Sequence, residues 1–529
     1  MIGIIPTEPS AATDRDSGSA RKPASAASAT RGVAPRISAA VIIAATATVI
    51  VLGLARQPAD PPHTLSHSLG VLDEGIWSHN SVNAAAFGDA RLDDLNPMYI
   101  TSVPPALMRL SYAIFGAGIL QTRIPSILLG AATVLGVGLV WRRRTPLGAA
   151  AASVILATTY LFLGYTRLGL LETVAAALAL GALILFVHAF EKRSSLWATA
   201  AGIVLAAALT SKPQIAGATL GMSAGLAMWA VIERPTRGLR LSASALIGAA
   251  AGISLWAGYV VAHLDTATRA EWRQHALGIG VRPSQALGNA ARYLRSSDGF
   301  GTHAGPLLIG ALVSVAVQLI TYVMRRQRPT ALAWAGAGWS AASIASVAAI
   351  SYQPSRYAIL ALPGLALTIA AGVHALESLA RGNARRLVIV TVSLATAASA
   401  TIGVRQWSSW AQHPEWSLRD AAAILGRETG PSDVIGGGFV LVPATQAHRR
   451  VVTILPLTGI NSTCPVERFG IDYVVMPAGD TVAQTFFARN YPGLIGEANI
   501  VTSFAVYRHP LTLYRVPVPT PPSWRCGRK

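Results

Sequence analysis

The chain has 529 residues, 52% hydrophobic and only 13% charged, with a mean hydropathy of +0.46 and a formal charge of +19. That apolar content exceeds what an ordinary soluble domain carries. The basic residues are dispersed over the whole length instead of being gathered with aromatics on one segment, which argues against a nucleic-acid binder and for a membrane protein.

Residues 1–36 are rich in Ala, Ser, Thr, Pro and Arg without apolar periodicity and read as a disordered cytoplasmic tail. The first apolar run, Ser38–Ala55, is long for a signal peptide. It is followed by Ala55-Arg56-Gln57, a poor cleavage context, and reads as a retained signal anchor. Further runs follow at Ile124–Val140, Leu147–Tyr165, Thr173–Phe190, Leu196–Thr210, Ile215–Ile232, Ala243–Val261, Ala304–Met324, Ala331–Ile350, Tyr357–Leu376 and Leu387–Val404. A spanning helix needs about 20 mostly apolar residues, so this pattern predicts about eleven transmembrane helices between residues 37 and 404. Leu196–Thr210 is the shortest of them.

The cationic clusters Arg142-Arg143-Arg144, Lys192-Arg193, Arg234/Arg237/Arg240, Arg325-Arg326/Arg328 and Arg381/Arg385-Arg386 fall in alternate short loops. The positive-inside rule puts these loops and the N-terminus in the cytoplasm, with the C-terminal segment outside. The outer loop His263–His303 strains the rule by carrying several arginines. It and the first outer loop, Arg56–Arg123, are long, which marks them as candidate walls of a site. Within them, Ala106–Phe115, Ala267–Leu277 and Ser284–Leu294 read as interfacial helices. Residues 405–529 alternate helix and strand, and predict a small extracytoplasmic α/β domain. Both cysteines, Cys464 and Cys526, lie there, where an oxidising compartment permits a disulfide between them.

The residues that point to chemistry lie in the outer loops and turns. Asp73 and Glu74 are adjacent carboxylates in the first outer loop, a candidate general base beside the lipid headgroups. Arg167 and Glu172 bracket a very short outer turn, either as part of a site or as a structural ion pair. Lys212 and Arg356 occupy two more short outer turns. Converging, Arg167, Lys212 and Arg356 would bind a phosphate at headgroup level. Separately, each would snorkel to lipid phosphate. His63 and His67 form an HxxxH pair without the glutamate of a zinc-protease motif, next to Pro61-Pro62. Gly221-Met222-Ser223-Ala224-Gly225 matches a nucleophile elbow formally but lies inside an apolar run, where small-residue helix packing explains it better.

Several of these stretches occur together in one known family. Asp73-Glu74, Phe87-Gly88-Asp89, Pro104-Pro105, Phe115-Gly116 and Thr122-Arg123-Ile124-Pro125-Ser126 resemble the first-loop pattern of GT-C membrane glycosyltransferases. The branch concerned is that of the protein O-mannosyltransferases and the aminoarabinose lipid A transferase. Tyr165-Thr166-Arg167 with Glu172, Ala206–Lys212, and Ser355-Arg356-Tyr357 running into Leu362-Pro363 continue the match in order, over about the first 380 residues. Where many relatives have a basic residue before the Pro-Pro pair, this chain has Val103. The resemblance implies a GT-C fold and a polyprenyl-phosphate-linked sugar donor used at the outer face of the plasma membrane. The acceptor would be a hydroxyl on an envelope lipid, glycan or protein. It also implies Asp73 as the base, Glu74 as an orienting group, and Arg167, Glu172, Lys212, Arg356 and Tyr357 as substrate contacts. A divalent metal is left open. The competing class is a transporter or lipid flippase, but the two related halves and midplane charges expected of one are not evident.

Overall fold

The computed structural model describes residues 27–62, 69–90, 97–233, 235–266, 268–270, 283–295, 303–326, 328–350, 354–456, 461, 463–518 and 524. The helices, in order, are α1 (Ala27–Leu54), α2 (Leu69–Phe87), α3 (Pro97–Ile100), α4 (Pro104–Phe115), α5 (Ile119–Arg142), α6 (Pro146–Thr158) and α7 (Tyr160–Thr166). Next come α8 (Leu171–Lys192), α9 (Ser195–Ser211), α10 (Ala216–Glu233), α11 (Pro235–His263), α12 (Ala286–Arg295) and α13 (Gly305–Arg325). After these follow α14 (Ala331–Ala349), α15 (Leu362–Leu379), α16 (Asn383–Gln412) and α17 (Ser417–Glu428). Beyond them lie α18 (Leu441–Gln446), α19 (Pro465–Phe469) and α20 (Thr481–Asn490), interleaved with five strands.

Among the described residues nine helices are long and apolar enough to cross a membrane, and the bent pair α6–α7 makes a tenth crossing. With α9, an apolar helix of 17 residues, they account for all eleven runs read from the sequence. The chain is a multi-pass membrane protein built on a helical bundle. Two details differ from expectation. Helix α1 begins at Ala27, so residues 27–36 are helical instead of tail, while residues 1–26 lie outside the described set. The run Leu147–Tyr165 is two helices meeting at 62° around Thr159. Non-helical backbone inside a membrane must be covered by protein. Here Gly403 of α16 lies so close to the Thr158 carbonyl that a Cβ would sit 1.7 Å from its oxygen.

Small residues set the other close approaches. Gly221 and Gly225 on α10 press on backbone carbonyls of Gly338 and Trp334 in α14, which is small-residue packing and disposes of the nucleophile-elbow match. Helix α4 starts at Pro104-Pro105, buries Met108 and Tyr112, and exposes Leu110, Ile114 and Phe115, an amphipathic helix as read from the sequence. Of the other two interfacial helices, Ser284–Leu294 overlaps a 3-10 turn and α12, whereas most of Ala267–Leu277 lies outside the described residues.

The C-terminal segment folds around a mixed sheet of β1 (Val434–Gly436), β2 (Arg450–Val452), β3 (Tyr473–Pro477), β4 (Ile500–Val506) and β5 (His509–Arg515), in the order β2-β1-β3-β5-β4. Strands β2, β1 and β3 are parallel, and β5 and β4 add antiparallel neighbours. The β4–β5 hairpin turns on Tyr507 and Arg508, both with positive φ, a two-residue turn without the usual Asn-Gly signal. Tertiary contacts hold it: the Tyr507 N–H donates to Ser417 Oγ at 2.6 Å, and Arg508 pairs with Glu415 at 2.6 Å. This domain is anchored to the bundle. Ile76 of α2 and Ile119 of α5 belong to the same apolar core as Leu418, Leu441 and Leu513. Asp60 accepts from the first N–H groups of α17 at Ser417 and Leu418 (3.1 and 3.0 Å), satisfying orphan donors of the helix start from a distant segment.

Candidate active site

Four ionisable side chains from four elements meet in one cluster. Asp73 lies on α2 and Glu172 in the first turn of α8. Lys212 lies at the C-terminal end of α9, and Arg356 in the 3-10 helix Ser355–Leu360 before α15. An acid at a helix start and a cation at a helix end are each favoured by the helix dipole, so the backbone helps to hold two of the four. Arg356 pairs directly with Asp73, and its Nε lies 3.3 Å from Glu172 Oε1. Lys212 Nζ is 3.1 Å from the same Glu172 oxygen. The charges therefore alternate, and three of the groups are nearly inaccessible while Asp73 keeps 15% of its side chain exposed. Burial pushes the Asp73 carboxyl above the ordinary carboxylate range; Arg356 and Lys212 pull it back, and Glu172 adds to the rise.

Aromatic rings line the cations. Lys212 lies 5.3 Å from the Trp77 ring centroid and 5.4 Å from that of Tyr357, and Arg356 lies 5.4 Å from Tyr357. Tyr165 at the end of α7 hydrogen-bonds Ser355, tying the 3-10 helix to the bent span. Asp73, Glu172, Lys212, Arg356 and Tyr357, all candidates from the sequence, thus lie together, whereas Arg167 does not join Lys212 and Arg356.

Two of the expected residues are used elsewhere. Glu74 is fully buried and receives two parallel bonds of 2.8 Å from Arg123 Nε and Nη2, and a third from the Gly169 N–H at 2.7 Å. Arg123 also donates to Gln57 Oε1 (2.7 Å) and the Ala59 carbonyl (3.2 Å). With its oxygens engaged by an arginine fork and a backbone amide, Glu74 is a structural tie between α2, α5 and the turn before α8, not a group free for a substrate. Arg167 is also fully buried, donates to the Arg56 carbonyl at 3.1 Å and lies 4.2 and 5.5 Å from the Trp410 and Trp407 rings. It pairs neither with Glu172 nor with the Lys212–Arg356 group among the described residues. A cation can satisfy itself on aromatic faces inside the fold, an option that a sequence does not display.

Two further residues of this region, Trp77 and Arg123, carry no obvious mark of their partners in the sequence. The first loop is not irregular at Asp73: the segment is helical, which places Trp77 one turn beyond Asp73 on the same face. Arg123 stands just before the apolar run Ile124–Val140, where an ionisable group calls for a buried partner, here Glu74. Among the described residues no group of three or more His, Cys, Asp or Glu gathers to hold a metal. His63, His67 and Cys526 lie outside the described residues, as does the Cys464–Cys526 pairing; Cys464 itself is half-buried at the start of α19.

Fold and site together define a polytopic membrane protein with a buried charge cluster beneath a mixed-sheet domain. The family model of dolichyl-phosphate-mannose-protein mannosyltransferases matches residues 101–260. ArnT from Cupriavidus metallidurans bound to undecaprenyl phosphate superposes with a TM-score of 0.58 at 14% identity, over 90% of this chain and 97% of that one. The same protein in the apo state gives 0.55 at 13% identity, over 92% and 98%. No curated protein sequence matches the chain. Identity this low speaks for the fold alone: over most of its length the chain has the fold of these two structures.

Proposed function

We propose that the chain is an inverting glycosyltransferase that moves a sugar from a polyprenyl-phosphate donor to an acceptor hydroxyl at the extracytoplasmic face of the plasma membrane. The observation that carries this reading is the cluster itself: a partly accessible carboxylate, Asp73, in direct contact with a cation, Arg356, and close to a second, Lys212. The likeness to an ArnT structure containing undecaprenyl phosphate supports a polyprenyl phosphate as the ligand, and the matched family model supports a sugar as the transferred group. The acceptor is a lipid, glycan or protein of the envelope.

In this reading the acceptor oxygen attacks the anomeric carbon, and its proton passes to Asp73. The bond between that carbon and the phosphate oxygen breaks, and polyprenyl phosphate leaves from the opposite face. A carboxylate is a weak base for a hydroxyl, so the proton moves late, once the oxygen has become acidic by bonding to carbon. Arg356 and Lys212 meet the charge that develops on the leaving phosphate, in a site where fixed cations need no reorganisation. Glu172 holds both cations in place. The sheet domain and the N-terminal side of the bundle then lie on opposite sides of the membrane, with the basic loops in the cytoplasm.

The test is transfer by the purified protein in lipid vesicles from a panel of polyprenyl-phosphate sugars, followed by mass spectrometry of the acceptor material. A new glycosidic bond that disappears with Asp73→Asn supports the reading. Wild-type transfer by Asp73→Asn, or no transferred sugar in envelope material from cells with the gene compared with cells without it, defeats it.

A further inference from the structure

Helix α2 is clamped between two bodies. Successive residues of an α-helix are turned by about 100°, so positions two apart face nearly opposite ways and positions four apart share a face. Asp73 and Trp77 form one stripe, directed at Arg356 and Lys212, with Trp77 also packing on the edge of the sheet domain's apolar core. Gly75, His79 and Asn83 form the opposite stripe, and all three meet the sheet domain. At Gly75 the helix runs so close to α18 that a Cβ would fall 2.5 Å from Leu441 Cβ. His79 Nδ1 donates to the Ile76 carbonyl at 2.8 Å, which leaves Nε2 to face Thr453 Oγ1 at 3.3 Å. Asn83 donates through Nδ2 to the Val451 carbonyl at 2.7 Å and accepts from the Val451 N–H at 3.1 Å. Val451 is on β2, the edge of the sheet, so the carboxamide supplies the donor and acceptor that a neighbouring strand would give.

We propose that the sheet domain is a positioning element of the active site, fixing α2 and with it the Asp73 carboxylate through the Gly75–Leu441 approach and the Asn83–Val451 pair. The inference rests on Asp73 as the base of the proposed transfer. The two cations sit on α9 and on the 3-10 helix, which are not on this clamp, so loosening the domain displaces the base while the phosphate contacts stay. A displacement of about 1 Å at a reacting group costs up to roughly a hundredfold in rate.

The experiment uses the full chain in vesicles with Gly75→Ala, Asn83→Ala and Asn83→Gln. Gly75→Ala and Asn83→Ala are expected to lower kcat roughly ten- to a hundredfold. Affinity for undecaprenyl phosphate should stay within about threefold, since its charged contacts are intact. Hydrogen exchange of residues 69–87 should accelerate in both. Asn83→Gln, which keeps the carboxamide, should recover part of the rate and of the protection at that position. Unchanged exchange and kcat in Gly75→Ala and Asn83→Ala overturn the proposal, as does a loss of phosphate affinity that runs parallel to the loss of kcat. The exchange arm reads the clamp whether or not a sugar is transferred, so failure of the clamp and failure of the glycosyltransferase reading are told apart.

Discussion

Asp73 and Arg356, drawn from the first helix after α1 and from the turn before α15, pair directly at the centre of the charge cluster. The contact joins the group proposed to take a proton to a group proposed to hold the donor phosphate. A phosphate entering the cluster competes with Asp73 for Arg356, and by drawing the guanidinium away it frees the carboxylate for the acceptor. Donor binding and base release are one event in such a site.

That competition has a sign. Asp73→Asn should cut turnover by about two to four orders of magnitude while binding undecaprenyl phosphate at least as tightly as the unaltered protein, because Arg356 has lost its competitor. Lys212→Met and Arg356→Ala should weaken the same ligand by about tenfold or more, the value of a charge-assisted contact. Arg356→Lys should recover only part, since an ammonium does not present the guanidinium's fork. Calorimetric titration with undecaprenyl phosphate measures all four. Weaker binding by Asp73→Asn would remove the competition.

The pH dependence follows from the neighbours of Asp73. Its carboxyl is held above the ordinary value of 3.8, chiefly by burial, so kcat/KM should fall with acidification through a midpoint above that value. Glu172 raises the carboxyl and Lys212 lowers it. Glu172→Gln should therefore move the acid limb to lower pH, and Lys212→Met should move it to higher pH, whatever each does to the maximal rate. Limbs that move the same way in both variants would show that another group titrates.

The spans were legible because apolar runs obey a strong solvent constraint: each of the eleven runs coincides with helical structure, one of them bent between α6 and α7. The cluster was half legible. Lys212, Arg356 and Glu172 betray themselves as charges at the ends of apolar helices, where an ionisable group is costly without a purpose. Glu74 and Arg167 show the same signature and have different roles. Whether a buried charge meets a substrate, an arginine fork or a pair of tryptophans depends on residues far away in the chain. Helix α2 was unreadable because its low apolar contrast comes from burial on opposite faces by two bodies. The Tyr507-Arg508 turn was unreadable because tertiary bonds, not glycine, hold its positive φ.

The Glu74–Arg123 pair predicts a stability effect separate from chemistry. Removing one member leaves the other charge buried and uncompensated, at a cost of about 3–5 kcal/mol. Glu74→Gln and Arg123→Met should each lower the melting temperature in detergent clearly. The double change Glu74→Leu with Arg123→Met should be milder than either, since it buries no orphan charge. Asp73→Asn should melt close to the unaltered protein because Arg356 keeps Glu172. Equal melting of Glu74→Gln and Asp73→Asn would place Glu74 in the site after all.

Arg167 gives the sharpest contrast between sequence and structure. As a donor contact, its loss would weaken phosphate binding as strongly as that of Lys212. In the structure it instead faces the Trp407 and Trp410 rings of α16 and bonds the Arg56 carbonyl, with its Nε and Nη1 groups buried without a hydrogen-bond partner among the described residues. These contacts join α16 to the ends of α1 and α7. Arg167→Met keeps most of the volume and loses a desolvated cation–π contact worth about 2 kcal/mol, so the melting temperature should fall. Affinity for undecaprenyl phosphate should stay within about twofold, well short of the tenfold that 1.4 kcal/mol would produce. The acid limb of kcat/KM should not move, because Arg167 is not among the groups that set the Asp73 carboxyl. A tenfold loss of phosphate affinity at unchanged melting temperature would return Arg167 to the site and the sequence reading to favour.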